Sequence, residues 1–291
     1  MDLLSVHLTV TYADKAPVLH GLRLDLKAGE VLGLVGHSGC GKSSLALAIL
    51  GLLKMKGGKA TGSILWNGRD LLTLKERDWL KLRGKEIALV PQSPMSSLNP
   101  ALRIGTQLVE AWKLHSRRAR RTGSSAPAGF TRVGAEESRP AVLRALRDVS
   151  LPATEDFLRR YPSEISVGQA QRVLIAMAIL HRPLLLIADE PTSALDAVTQ
   201  SEILALFADL NRKLGMSILF VSHDLPSVYT LCHRIALIDA GEIVECNTPQ
   251  AIFFSPAHPF TRKLLAALPS IPAPLQVASK PALVEPAVVI H

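Results

Sequence analysis

Residues 31–43 constrain the fold of this chain more than any other segment. A continuous apolar run, Val31–Val35, leads into a loop with the pattern Gly-x-x-x-x-Gly-Lys-Ser, and a helical pattern follows over residues 42–53. An uninterrupted apolar run is typical of a strand that is buried on both faces. A strand, a glycine-rich loop and a helix in this order predict a phosphate-binding loop.

The loop contains residues whose chemistry suits a phosphate group: Gly36, His37, Ser38, Gly39, Cys40, Gly41, Lys42 and Ser43. Glycines allow backbone N–H groups to turn towards an anion, and the following helix adds its positive N-terminal end. We expect Lys42 to reach the β- and γ-phosphates of ATP, Ser43 to coordinate Mg²⁺ and Ser44 to belong to the same ATP site. A chance match to the pattern in such a chain is on the order of one in a hundred.

Cys40 lies inside this loop, close to Lys42 and to the start of the expected helix. A positive charge and a helix N-terminus both lower the pKa of a nearby thiol, so the sequence predicts a reactive Cys40 that ATP protects. The alternative is a small residue that simply fits. The other cysteines are Cys232 and Cys246, and this odd count indicates no disulfide framework and fits a reducing compartment.

A second apolar run, residues 184–188, ends in two adjacent carboxylates, Asp189 and Glu190. We expect Asp189 to hold Mg²⁺ and Glu190 to be the general base that polarises an attacking water. Two acids at a strand end are common and indicate little alone. Together with the phosphate loop they predict nucleotide hydrolysis, because hydrolysis needs both a cation and a base.

A third segment, residues 165–169, places Ser166 in front of a helical pattern over residues 167–180. The serine hydroxyl and the N–H groups at the helix start can bind an anion. A protein with two anion sites of this kind can close two copies of itself around one nucleotide. Taken alone, an ordinary N-cap serine is the simpler interpretation.

These segments occur in the order found in the ATP-binding cassette (ABC) ATPases, and the chain resembles that family over nearly its whole length. The resemblance implies an α/β fold: a P-loop NTPase domain with a RecA-like core, an N-terminal antiparallel β-subdomain and a helical subdomain with the signature motif. It also implies ATP and Mg²⁺ as ligands. Residues 36–43 correspond to the Walker A motif, 184–190 to Walker B and 165–169 to the signature.

The resemblance assigns roles to further single residues. Gln92 corresponds to the Q-loop glutamine, which binds Mg²⁺ and couples to the membrane subunits, and Asp196 corresponds to the D-loop aspartate. His223 corresponds to the catalytic switch histidine that contacts the γ-phosphate. Tyr12 corresponds to the aromatic residue that stacks on adenine, although a tyrosine in an early strand is just as often a core residue.

The signature departs from the family at one position. In this family the signature acts on the ATP that the partner subunit holds, and its residues here are Ser166, Val167, Gly168 and Gln169. The family usually has glycine where this chain has Val167. A β-branched side chain can crowd the partner's nucleotide or stiffen the turn, so we expect a modestly slowed site.

Three further segments resemble importers of dipeptides, oligopeptides and nickel: residues 92–100, the pair Tyr161-Pro162, and residues 258–267. They imply the ATP-hydrolysing, energy-coupling subunit of an ABC importer for peptides, nickel or a related small solute. The chain is short for the oligopeptide importers, and its C-terminal region lacks the cysteine cluster that some of them carry. An importer of nickel or of another small solute is therefore an open alternative.

Residues 1–255 are expected to form the ABC ATPase domain, with a helical subdomain at about 94–180 and an Arg-rich insertion at about 116–140. Residues 256–291 are expected to hold the importer-type motif and a flexible tail. We interpret the insertion as a solvated loop, and attraction to anionic lipid head groups is its alternative.

The implied partners are two transmembrane permease subunits, a second ABC ATPase subunit in a homodimer or heterodimer and, through the permease, an extracytoplasmic solute-binding protein. The implied location is peripheral, at the cytoplasmic face of the inner membrane. We find no secretion signal and no run of about 18 apolar residues, so we expect the chain not to cross the membrane by itself.

The net charge of +8 also allows a different class, a soluble ABC-class ATPase that acts on nucleic acid. Such proteins place a long coiled coil between the Walker A and signature segments. Residues 42–166 show no sustained heptad pattern, and a tandem-cassette translation factor would need a second copy of the motifs. We therefore expect no nucleic-acid partner.

Overall fold

The computed structural model describes residues 2–13, 16–115 and 132–268. The strands in chain order are β1 (Asp2–Tyr12), β2 (Leu19–Lys27), β3 (Val31–Val35), β4 (Gly58–Trp66), β5 (Arg69–Asp70), β6 (Ile87–Val90), β7 (Leu185–Asp189), β8 (Ser217–Ser222), β9 (Arg234–Asp239) and β10 (Glu242–Asn247). The helices are α1 (Lys42–Ile49), α2 (Glu76–Leu82), α3 (Pro94–Ser97), α4 (Ile104–Lys113), α5 (Arg132–Asp148), α6 (Glu155–Arg159), α7 (Val167–Ile179), α8 (Ala197–Leu214), α9 (Leu225–Leu231), α10 (Pro249–Phe254) and α11 (Pro259–Ala266).

One sheet is antiparallel and has the strand order β2-β1-β4-β5. Strand β2 alternates buried leucines, Leu22, Leu24 and Leu26, with exposed polar residues, as expected when one face of a sheet packs on a core and the other faces water. This sheet is the N-terminal antiparallel β-subdomain that the sequence predicts.

The second sheet has the strand order β10-β9-β3-β8-β7-β6, with all neighbours parallel except β10 and β9. Every residue of β3 and β8 is buried, which explains their uninterrupted apolar sequences. Parallel strands place their carboxyl ends at one edge of the sheet. The segments that follow β3, β6, β7 and β8 therefore meet at that edge.

The parallel sheet separates two hydrophobic cores. Leu32 and Leu34 of β3 contact the core shared with the antiparallel sheet and α1, whereas Val31 and Val35 contact the core shared with the helical subdomain. Full burial of such a side chain stabilises a fold by about 1.5–3 kcal/mol. Both faces of β3 are thus fixed, and the loop that follows it starts from a rigid strand.

Two sequence-based boundaries are wrong. Helix α1 ends at Ile49 rather than near residue 53, because Gly51 has a left-handed φ of +64° and the Trp79 ring lies within 2.4 Å of where a Cβ would be. Helix α5 begins at Arg132, so the predicted loop insertion is helical over residues 132–140. Burial of Val142 and Leu146 against the core offsets the cost of Pro140 inside the helix.

Other sequence-based predictions fall outside the described ranges. Residues 116–131, most of the Arg-rich insertion, and residues 269–291, which include the predicted flexible tail, are not described. Within the described ranges, no helix is both long and apolar enough to span a membrane.

Candidate nucleotide site

The phosphate loop connects the end of β3 to the start of α1, as predicted. Gly41 has a φ of +108°, which a side chain would strain, and a Cβ at Gly36 would lie 2.3 Å from the carbonyl oxygen of Ile238. Both glycines are therefore required by the backbone path. The loop in between remains open to solvent at His37, Ser38 and Gly39.

Lys42 is nearly buried, with 6% of its surface exposed, at the first position of α1. Its Nζ donates hydrogen bonds to the carbonyl oxygens of Gly36 and His37, each at 2.8 Å. Both acceptors are neutral, so they orient the ammonium group without balancing its charge. A buried cation of this kind favours an anionic ligand.

Asp189 ends β7 beside the loop. Burial raises the pKa of its carboxyl group, the hydrogen bond from the Ser43 hydroxyl opposes this shift, and the nearby Glu190 adds to it. The raised pKa indicates that the ionised form is poorly solvated, and a bound cation would stabilise it. The hydroxyl of Ser43 and the carboxylate of Asp189 are both oxygen ligands of the type that Mg²⁺ prefers.

Glu190 turns away from the strand with a left-handed φ of +46°, a conformation that costs a non-glycine residue of order 1 kcal/mol. Its carboxylate accepts a hydrogen bond from Gln92 Nε2 at 2.8 Å and lies 3.3 Å from His223 Nδ1. These three residues come from the ends of β7, β6 and β8. The structure thus brings together three side chains that the sequence placed far apart.

A cavity of about 250 Å³ opens beside Glu190 and His223. Its wall includes residues that the sequence analysis missed, among them Gln200, Ser222 and Asp224. Gln200 Nε2 donates to Asp224 Oδ2 at 2.8 Å, which ties α8 to the start of α9 next to His223. No local pattern signals this role, because a single glutamine on an amphipathic helix is ordinarily a surface residue.

Asp196 caps α8. Its carboxylate accepts hydrogen bonds from the backbone N–H groups of Val198 and Thr199, and Thr199 also donates its hydroxyl at 2.7 Å. The backbone bond from Thr199, followed by the hydroxyl bond, lowers the pKa of Asp196. The predicted D-loop aspartate is therefore held ionised at a helix N-terminus.

The signature residues lie at the start of α7. Ser166 Oγ accepts from Gln169 N–H at 3.2 Å, and the Gln169 side chain accepts from Ser166 N–H at 3.1 Å, which forms a capping box. Val167 is 41% exposed. A Cβ at Gly168 would lie 2.7 Å from the Thr199 methyl group, so the signature and the D-loop segment are in contact.

Tyr12 lies at the end of β1, and its hydroxyl donates to Ser44 Oγ at 3.1 Å. The ring is half-buried and contacts the core between the antiparallel sheet and α1. Tyr12 therefore packs on the core next to the phosphate-loop helix, and stacking on adenine stays a prediction.

The prediction for the Cys40 thiol is wrong in direction. Burial raises its pKa above the ordinary value of 9.0, and the opposing effect of Lys42 is smaller. The sequence shows the nearby charge and the helix start, both of which lower a thiol pKa. It does not show desolvation, which depends on how Gly36 and Lys42 pack around the sulfur.

Comparison with known proteins decides the family. The family model described as ABC transporter matches residues 19–193, a stretch that includes the phosphate loop, the signature and both carboxylates. The chain belongs to the ABC transporter family. It is thus an ATP-hydrolysing transporter subunit, and the resemblance to ABC ATPases is confirmed.

Similar ABC proteins carry names that refer to peptides. The chain is 41% identical to the oligopeptide transport ATP-binding protein OppD of Salmonella typhimurium, over 91% of this chain and 75% of that protein. It is 39% identical to the dipeptide transport ATP-binding protein DppD of Escherichia coli, over 92% of this chain and 77% of that protein.

Solved ABC structures share the fold. The cassette MJ0796, in a dimer bound to ADP and phosphate, matches with a TM-score of 0.68 and 27% identity over 84% of this chain and 98% of that chain. CbiO1 of Clostridium perfringens, part of an ABC transporter complex, matches with a TM-score of 0.71 and 27% identity over 92% and 96% of the two chains. The predicted α/β cassette fold is confirmed.

Proposed function

We propose that this chain is the energy-coupling subunit of an importer for peptides or a related small solute. The observation that carries the proposal is the convergence of Gln92 and His223 on Glu190, next to the pair Ser43 and Asp189. This arrangement combines a base, a hydrogen-bonding partner on each side of it and a set of oxygen ligands at one edge of the sheet.

Mg²⁺ fits the residues at this edge. Ser43, Asp189 and Gln92 supply hydroxyl, carboxylate and amide oxygens, and burial disfavours the charged form of Asp189 when no cation is present. When bound, Mg²⁺ would neutralise charge on the phosphate groups of ATP. Lys42 and the backbone N–H groups of residues 36–44 would hold those phosphates.

Glu190 is the residue that we assign to the chemical step. Its carboxylate would accept a proton from the attacking water, and the contact with His223 would orient it towards the terminal phosphate. Gln92 would report the state of the site, because its amide already bonds Glu190 and it lies in the segment between β6 and α3. Tyr12 would stack on adenine beside the first turn of α1, where its hydroxyl bonds Ser44.

The site needs a second subunit to be complete. Ser166–Gln169 lie at the start of α7, and we assign them to the ATP of a partner, as the resemblance to ABC ATPases implies. Asp196 would lie at the same interface, because the capped start of α8 contacts the signature through Thr199. Homodimer and heterodimer are both compatible with this arrangement.

The proposed partners are two transmembrane permease subunits and, through them, an extracytoplasmic solute-binding protein, with the chain peripheral at the cytoplasmic face of the inner membrane. Relatives named for oligopeptide and dipeptide transport support peptides as the solute class. Nickel stays a prediction from the sequence.

Uptake of labelled di- and oligopeptides by cells that carry or lack this chain tests the function. We expect uptake to stop on deletion, to return with the unaltered chain, and not to return with Glu190→Gln. The same cells should yield the permease subunits when the tagged chain is purified. Recovery of nucleic acid instead, with unchanged uptake of peptides and of nickel, would contradict the proposal.

A further inference from the structure

The motif at residues 258–262 has no role in the function as proposed so far. In the structure it begins α11, and the Phe260 ring forms a T-shaped pair with the His37 ring of the phosphate loop. The ring centroids are 5.2 Å apart and the planes meet at 85°. Edge-to-face pairs at this distance are attractive, because the positive edge of one ring faces the negative face of the other.

Glu245 of β10 anchors the start of α11. Its carboxylate accepts hydrogen bonds from the backbone N–H groups of Ala257 and His258, each at 3.0 Å, and from the hydroxyl of Thr261. Thr261 is fully buried. Burial disfavours the ionised form of Glu245, but these hydrogen bonds outweigh it and lower the pKa, so the anchor is a carboxylate at neutral pH.

Apolar contacts fix the rest of the helix. Leu265 is buried, and Phe260 and Leu264 pack against the core that the parallel sheet shares with the helical subdomain. His258 Nδ1 also accepts from the N–H of Phe260 at 3.2 Å, which caps the helix. The Phe260 ring is therefore held in place by α11 and by the core, and it contacts the loop from a fixed position.

His37, the other partner in this contact, is exposed and lies in the glycine-rich loop. The His37 side chain is exposed, Gly36 precedes it, and Gly39 with a φ of +83° follows two residues later. The carbonyl oxygen of His37 accepts a hydrogen bond from Lys42. A glycine-rich loop loses conformational entropy when it closes on a ligand, and a contact that holds it beforehand reduces that loss.

We propose that Phe260 is a positioning residue of the nucleotide site. Its ring holds His37, and through His37 the backbone that orients Lys42, in the conformation that receives the phosphates of ATP. The C-terminal motif thus acts on nucleotide affinity and not on the chemical step. This inference rests on the proposed nucleotide site of residues 36–44.

The test compares the purified full chain with four single variants. Phe260→Leu keeps an apolar side chain against the core but removes the aromatic ring, and Phe260→Tyr keeps the ring. Lys263→Ala changes an exposed side chain of the same helix, and His37→Ala removes the other partner. The measurements are the Kd of a fluorescent ATP analogue and the KM and kcat of ATP hydrolysis.

We expect Phe260→Leu to raise Kd and KM about two- to tenfold, the effect of one aromatic pair, with kcat within about twofold of the unaltered chain. Phe260→Tyr and Lys263→Ala should stay close to the unaltered chain. The double variant His37→Ala/Phe260→Leu should bind no more weakly than His37→Ala, because both changes remove one contact.

Three results would overturn the inference: unchanged affinity in Phe260→Leu, an equal loss in Lys263→Ala, or effects that multiply in the double variant. The double variant is informative even where one substitution loosens the fold, since a general loosening adds to the loss from His37→Ala. No nucleotide binding by the unaltered chain would instead refute the proposed function itself.

Discussion

Neighbouring residues hold both the backbone and the side chain of Glu190 in place. Its left-handed backbone is fixed by hydrogen bonds on both sides, because its N–H donates to the carbonyl oxygen of Val221 and its own carbonyl accepts from Ser193. The side chain is only 20% exposed. Strain of this kind persists where the surrounding structure holds it, and it aims the carboxylate out of the line of β7 towards Gln92 and His223.

Replacing Glu190 by glutamine should separate binding from hydrolysis. The amide keeps the shape of the side chain but cannot accept a proton, so we expect the ATPase rate to fall by about 10²- to 10⁴-fold with ATP affinity within about twofold. Phosphate release and equilibrium ATP binding are the measurements. Glu202→Gln is the control, since it makes the same chemical change at an exposed carboxylate that pairs with Arg172 and not with Gln92 or His223. Equal loss of binding and rate would argue against the assigned role.

The raised pKa of Cys40 gives a second prediction for a single residue. The thiolate is the reactive form, and burial places its formation above pH 9.0, so alkylation should be slow at neutral pH and accelerate through pH 9. ATP should slow the reaction, because Cys40 lies within the loop that holds the phosphates. Mass spectrometry of Cys40 after timed alkylation measures both effects. A rate that levels off below pH 8, or equal rates with and without ATP, would contradict it.

At the scale of elements, the sequence predicts the parallel strands well and the rest of the fold unevenly. Buried on both faces, β3 leaves an uninterrupted apolar run, and its predicted bounds match the structure. Strand β10 is at an edge and only partly buried along its length, so no alternation marks it. The start of α5 is missed because Pro140 is a common boundary signal, while the packing that tolerates it is tertiary.

The same division holds for the site. The loop glycines and Lys42 are neighbours in sequence, and so are the two carboxylates Asp189 and Glu190, so local chemistry identifies each group. The approach of Gln92 and His223 to Glu190 depends on the strand order β3-β8-β7-β6, which the sequence does not encode locally. Resemblance to a family supplied those two residues, and desolvation of Cys40 had no counterpart in the sequence at all.

The first turn of α7 allows a test of the Val167 prediction. Val167 is exposed at the first position of α7, the helix whose start we assign to the partner's ATP, and its branched side chain restricts the first turn. In the assembled complex we expect the ATPase rate to rise from the unaltered chain to Val167→Ala and again to Val167→Gly, as the side chain shrinks. The measurement is the steady-state rate at saturating ATP, and a rate that stays flat or falls along this series would refute the prediction.

The Glu245 anchor predicts a pH-dependent C-terminal helix. Because the folded pKa lies below the ordinary 4.5, the ionised carboxylate stabilises the docked α11 above pH 4.5, and this contribution is lost as the pH falls through the folded value. Glu245→Gln should lose this stabilisation of α11 at neutral pH. We expect a loss of about 1 kcal/mol, which corresponds to about fivefold less hydrogen-exchange protection.

Hydrogen exchange over residues 257–265, followed by mass spectrometry, measures the effect of Glu245→Gln. Glu242→Gln, an exposed position on the same strand β10, is the matched control and should leave the exchange unchanged. Protection in Glu245→Gln equal to that of the unaltered chain at pH 7 would show that the carboxylate does not anchor the helix.

At the scale of the whole molecule, the proposed function requires two halves of a nucleotide site that come from two subunits. The loop of residues 36–44 and Glu190 lie at one edge of the parallel sheet, and Ser166–Gln169 lie at the start of α7. Two copies, or one copy and a similar ATPase, can satisfy both halves. Binding energy from ATP is then shared between two surfaces, which makes association depend on the nucleotide.

Association should therefore be visible when hydrolysis is blocked. With millimolar MgATP, the Glu190→Gln variant should double its mass from 31.4 kDa in light scattering after size exclusion, and with ADP it should not, because only the terminal phosphate completes the contact with the signature. Lys42→Ala in the same background is the control, since the loop then lacks its buried cation. Dimers of equal abundance with and without ATP would mean that the surfaces associate for another reason. A monomer with ATP that pairs only with a second, co-expressed ATPase would assign the chain to a heterodimer.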